Sequence, residues 1–133
     1  MYISTQETHV KFISTAAAPA AVGPYSQAVQ AGDWLFCSGQ IGIDPTSGTL
    51  AEGMLNQTVQ VLANLKAVLR AAGLDVSQVV KTTIYLTDMA DFPEVNRLYG
   101  DVFGSHRPAR ATVAVAALPL AALVEMDCVA CRT

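Results

Sequence analysis

Two charged side chains, Arg110 and Glu125, stand inside otherwise apolar, strand-like sequence in the last quarter of the chain. Arg110 lies in the run 109–116, where strand alternation puts it on one face with the small residue Thr112. A guanidinium with open space around it suits bidentate capture of a carboxylate or a phosphate. Glu125 lies in a second such run, 123–130. If the two runs pair as neighbouring strands, both charges project into one pocket; the alternative is an ion pair that fixes strand register.

Three other positions are candidates for contact with a ligand. Tyr25 follows Gly23-Pro24, a rigid turn that either aims the hydroxyl at a ligand or holds it in a structural hydrogen bond. Gly39 lies inside a strand-like run, where the missing side chain lets backbone approach a ligand. Asn96 lies on the polar side of a predicted helix, where a solvated or loop-tethering amide is the ordinary explanation. No phosphate-loop, dinucleotide or nucleophile-elbow motif accompanies them.

The hydrophobic periodicity predicts the elements that must position these residues. A two-residue hairpin is expected at Gly32-Asp33. The predicted elements are strand 9–13, a strand that follows the turn at Gly23-Pro24 and runs to Ala31, strand 34–41, helix 55–72, strand 79–87, helix 91–103, and strands 109–116 and 123–130 with a turn at Pro119. This order, β-β-β-α-β-α-β-β, indicates an α+β domain whose helices cover one face of the sheet.

The longer helix is predicted from apolar residues that recur at spacings of three and four, with Gly73 after its end. Its apolar side is predicted to contain Leu55, Val59, Leu62, Leu65, Leu69 and Ala72. Its polar side is predicted to contain Asn56, Gln57, Gln60, Asn64 and Arg70.

Length and composition predict one domain that associates with copies of itself. The 133 residues fit a single domain, of which residues 1–8 are expected to be a flexible tail. Hydrophobic residues make up 52% of the chain and charged residues 14%, so an apolar subunit interface is the simplest way to cover the second sheet face. No apolar run is long enough for a membrane span, and no leader pattern is visible, so we expect a cytoplasmic protein.

Charge and cysteine usage disfavour several classes of function. The net charge is -3, the sequence pI is about 5.1 and no Lys/Arg cluster occurs, which disfavours a nucleic-acid binder. Cys37, Cys128 and Cys131 lie in apolar strand-like sequence, which favours reduced thiols over a disulfide framework. No group of residues has the spacing of a metal site.

The chain resembles the RidA (YjgF) family of reactive-intermediate, enamine/imine deaminases. Five short motifs carry the resemblance, in the family's order and spacing, from about Thr15 to Ala130. They are Gly23-Pro24-Tyr25-Ser26-Gln27-Ala28, Ser38-Gly39-Gln40, Val80-Lys81-Thr82-Thr83, Pro108-Ala109-Arg110 and Leu123-Val124-Glu125. The resemblance implies a chorismate-mutase-like fold, with a mixed sheet, two helices on one face and a homotrimer whose three sheets close into a barrel. The active sites would then lie in clefts between subunits.

Residue by residue, the resemblance implies roles for the candidates. Arg110 matches the arginine that grips the substrate carboxylate, and Glu125 matches the acid that holds and activates water. Tyr25 matches a tyrosine of the cleft, and Asn96 matches a position near it.

Two further positions match places where backbone groups touch the bound acid, Gly39 and Thr112. Many members of the family have cysteine where this chain has Thr112. Because the contact there is through backbone, we expect activity to survive this difference.

The implied reaction is hydrolytic deamination of 2-enamino and 2-imino acids of the 2-aminoacrylate type. The products would be a 2-keto acid and ammonia, and no metal or organic cofactor is required. Two other functions stay open: an RNA-directed endoribonuclease or translation inhibitor, which the acidic charge disfavours, and a non-catalytic module that binds small carboxylates. The physiological enamine cannot be read from sequence, because several unlinked segments build the side-chain pocket.

Overall fold

The computed structural model describes residues 10–132 of the chain, so the predicted tail 1–8 and His9 lie outside the described residues. The strands and the longer helices occur in the predicted order. They are β1 (Val10–Ile13), β2 (Ala28–Ala31), β3 (Trp34–Ile41), α1 (Gly53–Ala71), β4 (Val79–Leu86), α2 (Phe92–Phe103), β5 (Ala109–Ala114) and β6 (Val124–Cys131).

The six strands form one mixed sheet in the order β1-β2-β3-β6-β4-β5. All neighbouring pairs are antiparallel except β4 and β5, which are parallel and are joined through α2. A parallel pair needs such a crossover, and this one leaves β5 at the edge of the sheet. β6 then returns to the other side of β4. The hypothesis that the last two strands pair with each other is therefore wrong, because β4 separates them.

The two faces of the sheet differ in what covers them. On one face α1 packs against β3 and β6. The residues of β6 that lie on this face are buried, and they are Val124, Met126, Cys128 and Ala130. The alternate residues of β6 define the other side, which we call the open face: Glu125, Asp127, Val129 and Cys131.

The open face carries large apolar side chains that this chain leaves exposed. Phe36 pairs with Val129 on one side and, through Val29, with Phe12 on the other. Phe12 is 74% exposed and Phe36 is 50% exposed. Trp34 and Val10 continue the same face and are also exposed. An apolar surface of this kind is typical of a subunit interface.

Helix α1 follows the predicted range, but two of its expected apolar contacts are wrong. Leu55 and Val59 are exposed, whereas Gln57 and Asn64, predicted on the polar side, are buried. The Asn64 amide donates hydrogen bonds to the carbonyl oxygens of Ile41 (3.2 Å) and Ile43 (2.9 Å). Gln57 Oε1 accepts from the backbone amide of residue 123 at 2.8 Å. Buried side-chain amides are satisfied when they form hydrogen bonds to backbone groups in this way. A prediction from polarity alone therefore placed Gln57 and Asn64 on the wrong side of the helix.

Cys37 and Cys128 are not joined in a disulfide, and they are buried directly opposite each other on β3 and β6. Their mutual contact and burial raise the pKa of the Cys128 thiol far above its usual range. A thiol in that state is a weak nucleophile.

None of the helices in residues 10–132 is long and apolar enough to cross a membrane.

Candidate active site in two halves

Glu125, the second residue of β6, projects from the open face and is half-buried. It borders a cavity of about 650 Å³ that Tyr25 and Gly39 also line. This volume lies in the range of small-molecule sites. The fold therefore brings three of the predicted site residues together from three separate segments.

Gly39 makes room for the Glu125 carboxyl group. It lies where the pairing of β3 with β6 shifts register, between Cys37 and Gln40. A Cβ atom on Gly39 would lie 2.8 Å from Glu125 Oε2 and 2.9 Å from its Cδ. The space that the sequence suggested for a ligand is therefore used by the acid itself.

The surroundings of Glu125 alter its protonation. Burial raises the pKa of the Glu125 carboxyl, and the charge of Asp127 raises it further. Asp127 lies two residues along the same face and accepts a hydrogen bond of 2.9 Å from the Tyr85 hydroxyl. Tyr85 is paired with Glu125 across β4 and β6. A carboxyl group whose pKa is raised exchanges protons nearer to neutral pH, as general acid-base chemistry requires.

Tyr25 stands at the rim of the same cavity with 53% of its surface exposed. Its hydroxyl oxygen accepts a long hydrogen bond, 3.4 Å, from the backbone amide of Val22. The structural hydrogen bond that was the alternative for Tyr25 is thus present, although the residue also lines the cavity.

Gln27 is a residue of this half for which the sequence indicated no role. It is 3% exposed, and its amide oxygen accepts from the Thr15 backbone amide at 2.7 Å. Its Nε2 donates to the carbonyl oxygens of Thr15 (3.0 Å) and Pro19 (2.7 Å). These bonds fasten the segment 15–19, which carries Pro19 into the cavity wall. A glutamine beside a Gly-Pro turn is a weak sequence signal for such an anchor.

Arg110 belongs to the second half, which lies against α2. Its Nη1 donates a 2.7 Å hydrogen bond to Asn96 Oδ1. The guanidinium carbon lies 4.9 Å from the ring centre of Tyr99 and 5.3 Å from that of Phe92, within cation-π range. Asn96, although exposed, thus holds Arg110 rather than merely facing solvent. Arg110 and Asn96 also line a cavity of about 460 Å³.

No described residue forms an ion pair with Arg110. Among residues 10–132, no carboxylate lies within ion-pairing distance of Arg110; the ion pairs of that range join Arg97 to Glu94 and Asp101. The alternative of a register-fixing pair between Arg110 and Glu125 is therefore wrong. The guanidinium is held in place by neutral partners and keeps a full positive charge for an anion.

Tyr99 and Phe92 were missed as partners of Arg110, although they follow the helical spacing that places them on one stripe with Asn96. Burial raises the pKa of Tyr99, whose hydroxyl shares a 2.8 Å hydrogen bond with the buried Thr82 Oγ1. Thr112 lies two residues beyond Arg110 on the same face of β5 and is half-buried.

Arg110 and Glu125 are far apart within one chain. Arg110 pairs with Thr82 of β4, and Thr82 pairs with Cys128 of β6, three residues along from Glu125. Two strand spacings across and three residues along put their Cα atoms about 14 Å apart. Three steps along a strand also change the face. Arg110 therefore lies on the helix side of the sheet and Glu125 on the open face, each with half of the predicted site.

Comparison with known proteins identifies relatives over most of the chain. A family model described as endoribonuclease L-PSP matches residues 15–132. The mouse protein named 2-iminobutanoate/2-iminopropanoate deaminase is 50% identical over 121 residues, which cover 90% of each chain. Reactive Intermediate Deaminase A, chloroplastic, from Arabidopsis thaliana is 47% identical over 129 residues, covering 96% of this chain and 69% of that protein. The crystal structure of the YjgF gene product from E. coli superposes with a TM-score of 0.89 at 42% identity, covering 92% of this chain and 99% of that one.

Proposed function

The chain belongs to the endoribonuclease L-PSP family, also called the RidA or YjgF family, and on that premise we propose that it is a hydrolytic deaminase of reactive 2-enamino and 2-imino acids. The observation that carries the proposal is Glu125, a half-buried acid with a raised pKa that faces a small-molecule cavity. The substrate class is that of 2-iminobutanoate and 2-iminopropanoate.

Glu125 supplies the chemistry at the reacting carbon. As a carboxylate it accepts a proton from water, whose oxygen attacks C2 of the imine and forms a bond there. Glu125 passes that proton to the imine nitrogen, which gives a carbinolamine. The hydroxyl proton of the carbinolamine then moves to the nitrogen, the C–N bond breaks, and ammonia leaves a 2-keto acid. Positioned acid-base catalysis of this kind contributes roughly 10²- to 10⁴-fold. Because imines already hydrolyse in water without a catalyst, an acceleration of this size is enough to outpace the spontaneous reaction.

Arg110 holds the carboxylate of the substrate. Its planar fork matches a carboxylate bidentately, and Asn96, Tyr99 and Phe92 hold it ready for that contact. Fixing the carboxylate fixes the reacting carbon as well, which lowers the entropic part of the barrier. In this proposal the backbone groups of Thr112 and Gly39 contact the bound substrate, and the Tyr25 side chain covers the substrate at the rim of the Glu125 cavity.

The two halves meet only if Arg110 of one copy approaches Glu125 of another, so we propose a homotrimer with its sites between subunits. Two observations support it. The open face carries exposed Phe12, Trp34 and Phe36, and the Cα atoms of Arg110 and Glu125 lie about 14 Å apart with their side chains on opposite faces. Packing of three sheets over the open face buries those side chains, and the exposed Arg110 on the edge strand β5 of one copy then reaches the Glu125 of the next.

Small 2-imino and 2-keto acids are the proposed ligands, and nucleic acid is not a proposed partner. The net charge of -3 opposes phosphate binding, and the deaminase names of the relatives do not favour the RNA-directed or the non-catalytic alternative. The cytoplasm is the proposed location, since reduced cysteines such as Cys37 and Cys128 are typical of a reducing compartment.

A coupled assay tests the function. Serine dehydratase generates 2-aminoacrylate, and the release of pyruvate and ammonia is followed with and without the protein. We expect release above the spontaneous rate, in proportion to protein concentration. The same spontaneous rate with and without the protein would refute the proposal.

Gly39→Ala is expected to lower kcat about 10²-fold with little loss of stability. The added Cβ displaces the Glu125 carboxyl, and a misplacement of about 1 Å can cost that much. The displaced atoms are the free end of a flexible side chain, so the fold absorbs the change. Steady-state kinetics and thermal unfolding measure both quantities. Gly100→Ala, where a Cβ meets nothing within 4 Å, is the control for thermal unfolding only, because Gly100 lines the cavity of Arg110.

Asp127→Asn is expected to move the acid limb of the pH-rate profile to lower pH. Activity falls on acidification as the Glu125 carboxylate takes up a proton, and Asp127 helps to raise the pKa of that carboxyl. Removing the Asp127 charge lowers the pKa of Glu125, so the carboxylate persists to lower pH. The asparagine oxygen still accepts from Tyr85. A limb at unchanged pH would show that Glu125 does not set it.

A further inference from the structure

The cavity beside Glu125 has a single charged residue among the described residues that line it. The rest of that wall is mostly apolar, and it includes Pro19, Val22, Ile41, Ile43, Pro119 and Leu120. A carboxylate in the side chain of a substrate would meet the charge of Glu125 here and find no cation among these residues. The wall instead suits a hydrocarbon side chain.

Leu120 enters this wall from an unusual backbone. Its φ and ψ are 56° and 27°, and Ala121 follows with φ 57°. Two successive residues with a Cβ rarely adopt left-handed angles. Such conformations are typical of ligand-contacting loops, where the surrounding structure holds them in place.

Leu120 is also poorly covered by its own chain, with 69% of its surface exposed. In the single chain the cavity measures about 650 Å³, more than a three-carbon imino acid fills. A longer apolar side chain extending from C2 would cover Leu120 while the reacting carbon stays beside Glu125. Burial of that surface favours binding of the longer substrate.

We propose that Leu120 is a specificity-determining residue that forms a side-chain subsite selecting 2-imino acids with apolar side chains longer than methyl. The imino acid derived from leucine is preferred over the one derived from glutamate, whose side chain ends in a carboxylate. This inference rests on the proposed deaminase function. The reaction itself is the same hydrolysis, in which water adds to C2 and ammonia leaves.

The test compares two substrates on the whole protein. An L-amino acid oxidase with catalase generates the imino acids from leucine and from glutamate, and semicarbazide traps what has not been hydrolysed. The protein is expected to show a kcat/KM ratio, leucine-derived over glutamate-derived, of at least about tenfold. Leu120→Lys is expected to lower that ratio about tenfold relative to the unaltered protein, since it adds a cation and removes an apolar surface.

Two companion variants make the result specific. Leu120→Asn keeps the left-handed backbone tolerable and is expected to lower the ratio without adding charge. Leu55→Lys makes the matched change at an exposed leucine of α1 outside the cavity wall and is expected to leave the ratio at its original value.

The outcomes separate the two levels of the account. Deamination of 2-iminopropanoate with no preference between the longer substrates, or with a ratio that Leu120→Lys and Leu120→Asn leave unchanged, overturns the inference alone. Absence of any deamination overturns the proposed function and the inference with it. A ratio that falls in both Leu120 variants and not in Leu55→Lys supports the subsite.

Discussion

Arg110→Lys lowers kcat/KM for 2-iminopropanoate about 10²-fold, and Arg110→Ala lowers it further, if this guanidinium holds the substrate carboxylate. Lysine keeps the charge but loses the planar pair of donors that fixes both carboxylate oxygens. Most of the loss for the lysine variant is expected in KM, since the acid that activates water is untouched. Initial rates over a range of imino-acid concentrations separate the two parameters.

The control for Arg110 removes a different arginine. Arg97 lies on α2 and pairs with Glu94 at 2.6 Å on the surface, outside the walls of both cavities. Arg97→Ala changes the net charge by the same amount as Arg110→Ala and should leave kcat/KM within about twofold, because exposed ion pairs contribute little. An equal loss in both variants would assign the effect to net charge or folding and contradict carboxylate capture by Arg110.

Glu125→Gln lowers kcat by roughly 10²- to 10⁴-fold, with little change in KM. Glutamine keeps the shape of the side chain and its contact with Gly39, but it cannot accept a proton from water at neutral pH. The residual rate approaches spontaneous imine hydrolysis. Single-turnover measurement of keto-acid release, with the spontaneous rate subtracted, gives the size of the loss. A rate within threefold of the original protein would remove Glu125 from the chemistry.

The stability of Glu125→Gln should rise, whereas its activity falls. Burial raises the pKa of Glu125 above its value in the unfolded chain, so the protonated form favours the folded state. The contribution of Glu125 to stability is therefore fully present below the pKa that the group has in the unfolded chain, and it is lost as pH rises through the raised pKa of the folded state. The neutral glutamine mimics the protonated acid, so Glu125→Gln raises the free energy of unfolding at neutral pH. A more stable and much less active variant is the pattern expected of a group kept for function.

Local patterns predicted the elements well, because each depends on neighbours in sequence. The hairpin at Gly32-Asp33 formed as expected, with Ala31 paired to Trp34 and a φ of 60° at Gly32. Helix α1 differs from its predicted range by about two residues at the start, within the usual uncertainty of helix ends.

Long-range pairing was beyond such patterns. Strand β6 lies between β3 and β4, and this position depends on contacts between strands that are distant in sequence. No local pattern in β5 or β6 predicts it. The same holds for α1, where Asn64 is buried because two carbonyl groups, one at the end of β3 and one just beyond it, need a donor. A polar side chain indicates exposure only where no buried backbone group needs it as a hydrogen-bond partner.

The candidate site was partly predictable for a related reason. Arg110 and Glu125 were conspicuous as charges in largely apolar strands, where Glu125 shares its strand with Asp127, and Gly39 was conspicuous as a missing side chain in a third strand. Their grouping was not predictable, because it depends on which face and which strand each occupies. Asn96 was correctly placed on α2, but its bond to Arg110 follows from the parallel crossover that lays β5 beside that helix.

The central claim is that one site is assembled from Arg110 of one copy and Glu125 of another, and mixing two inactive variants tests it. Arg110→Ala and Glu125→Gln are produced together in one cell, and mass measurement checks that the assembly has three times the 14.0 kDa of the chain. Random assembly restores about one quarter of the sites, because each needs its arginine from one variant and its glutamate from the other. We predict recovery of about that fraction of the original activity. A trimer in which the mixture is no more active than either variant alone would contradict the account.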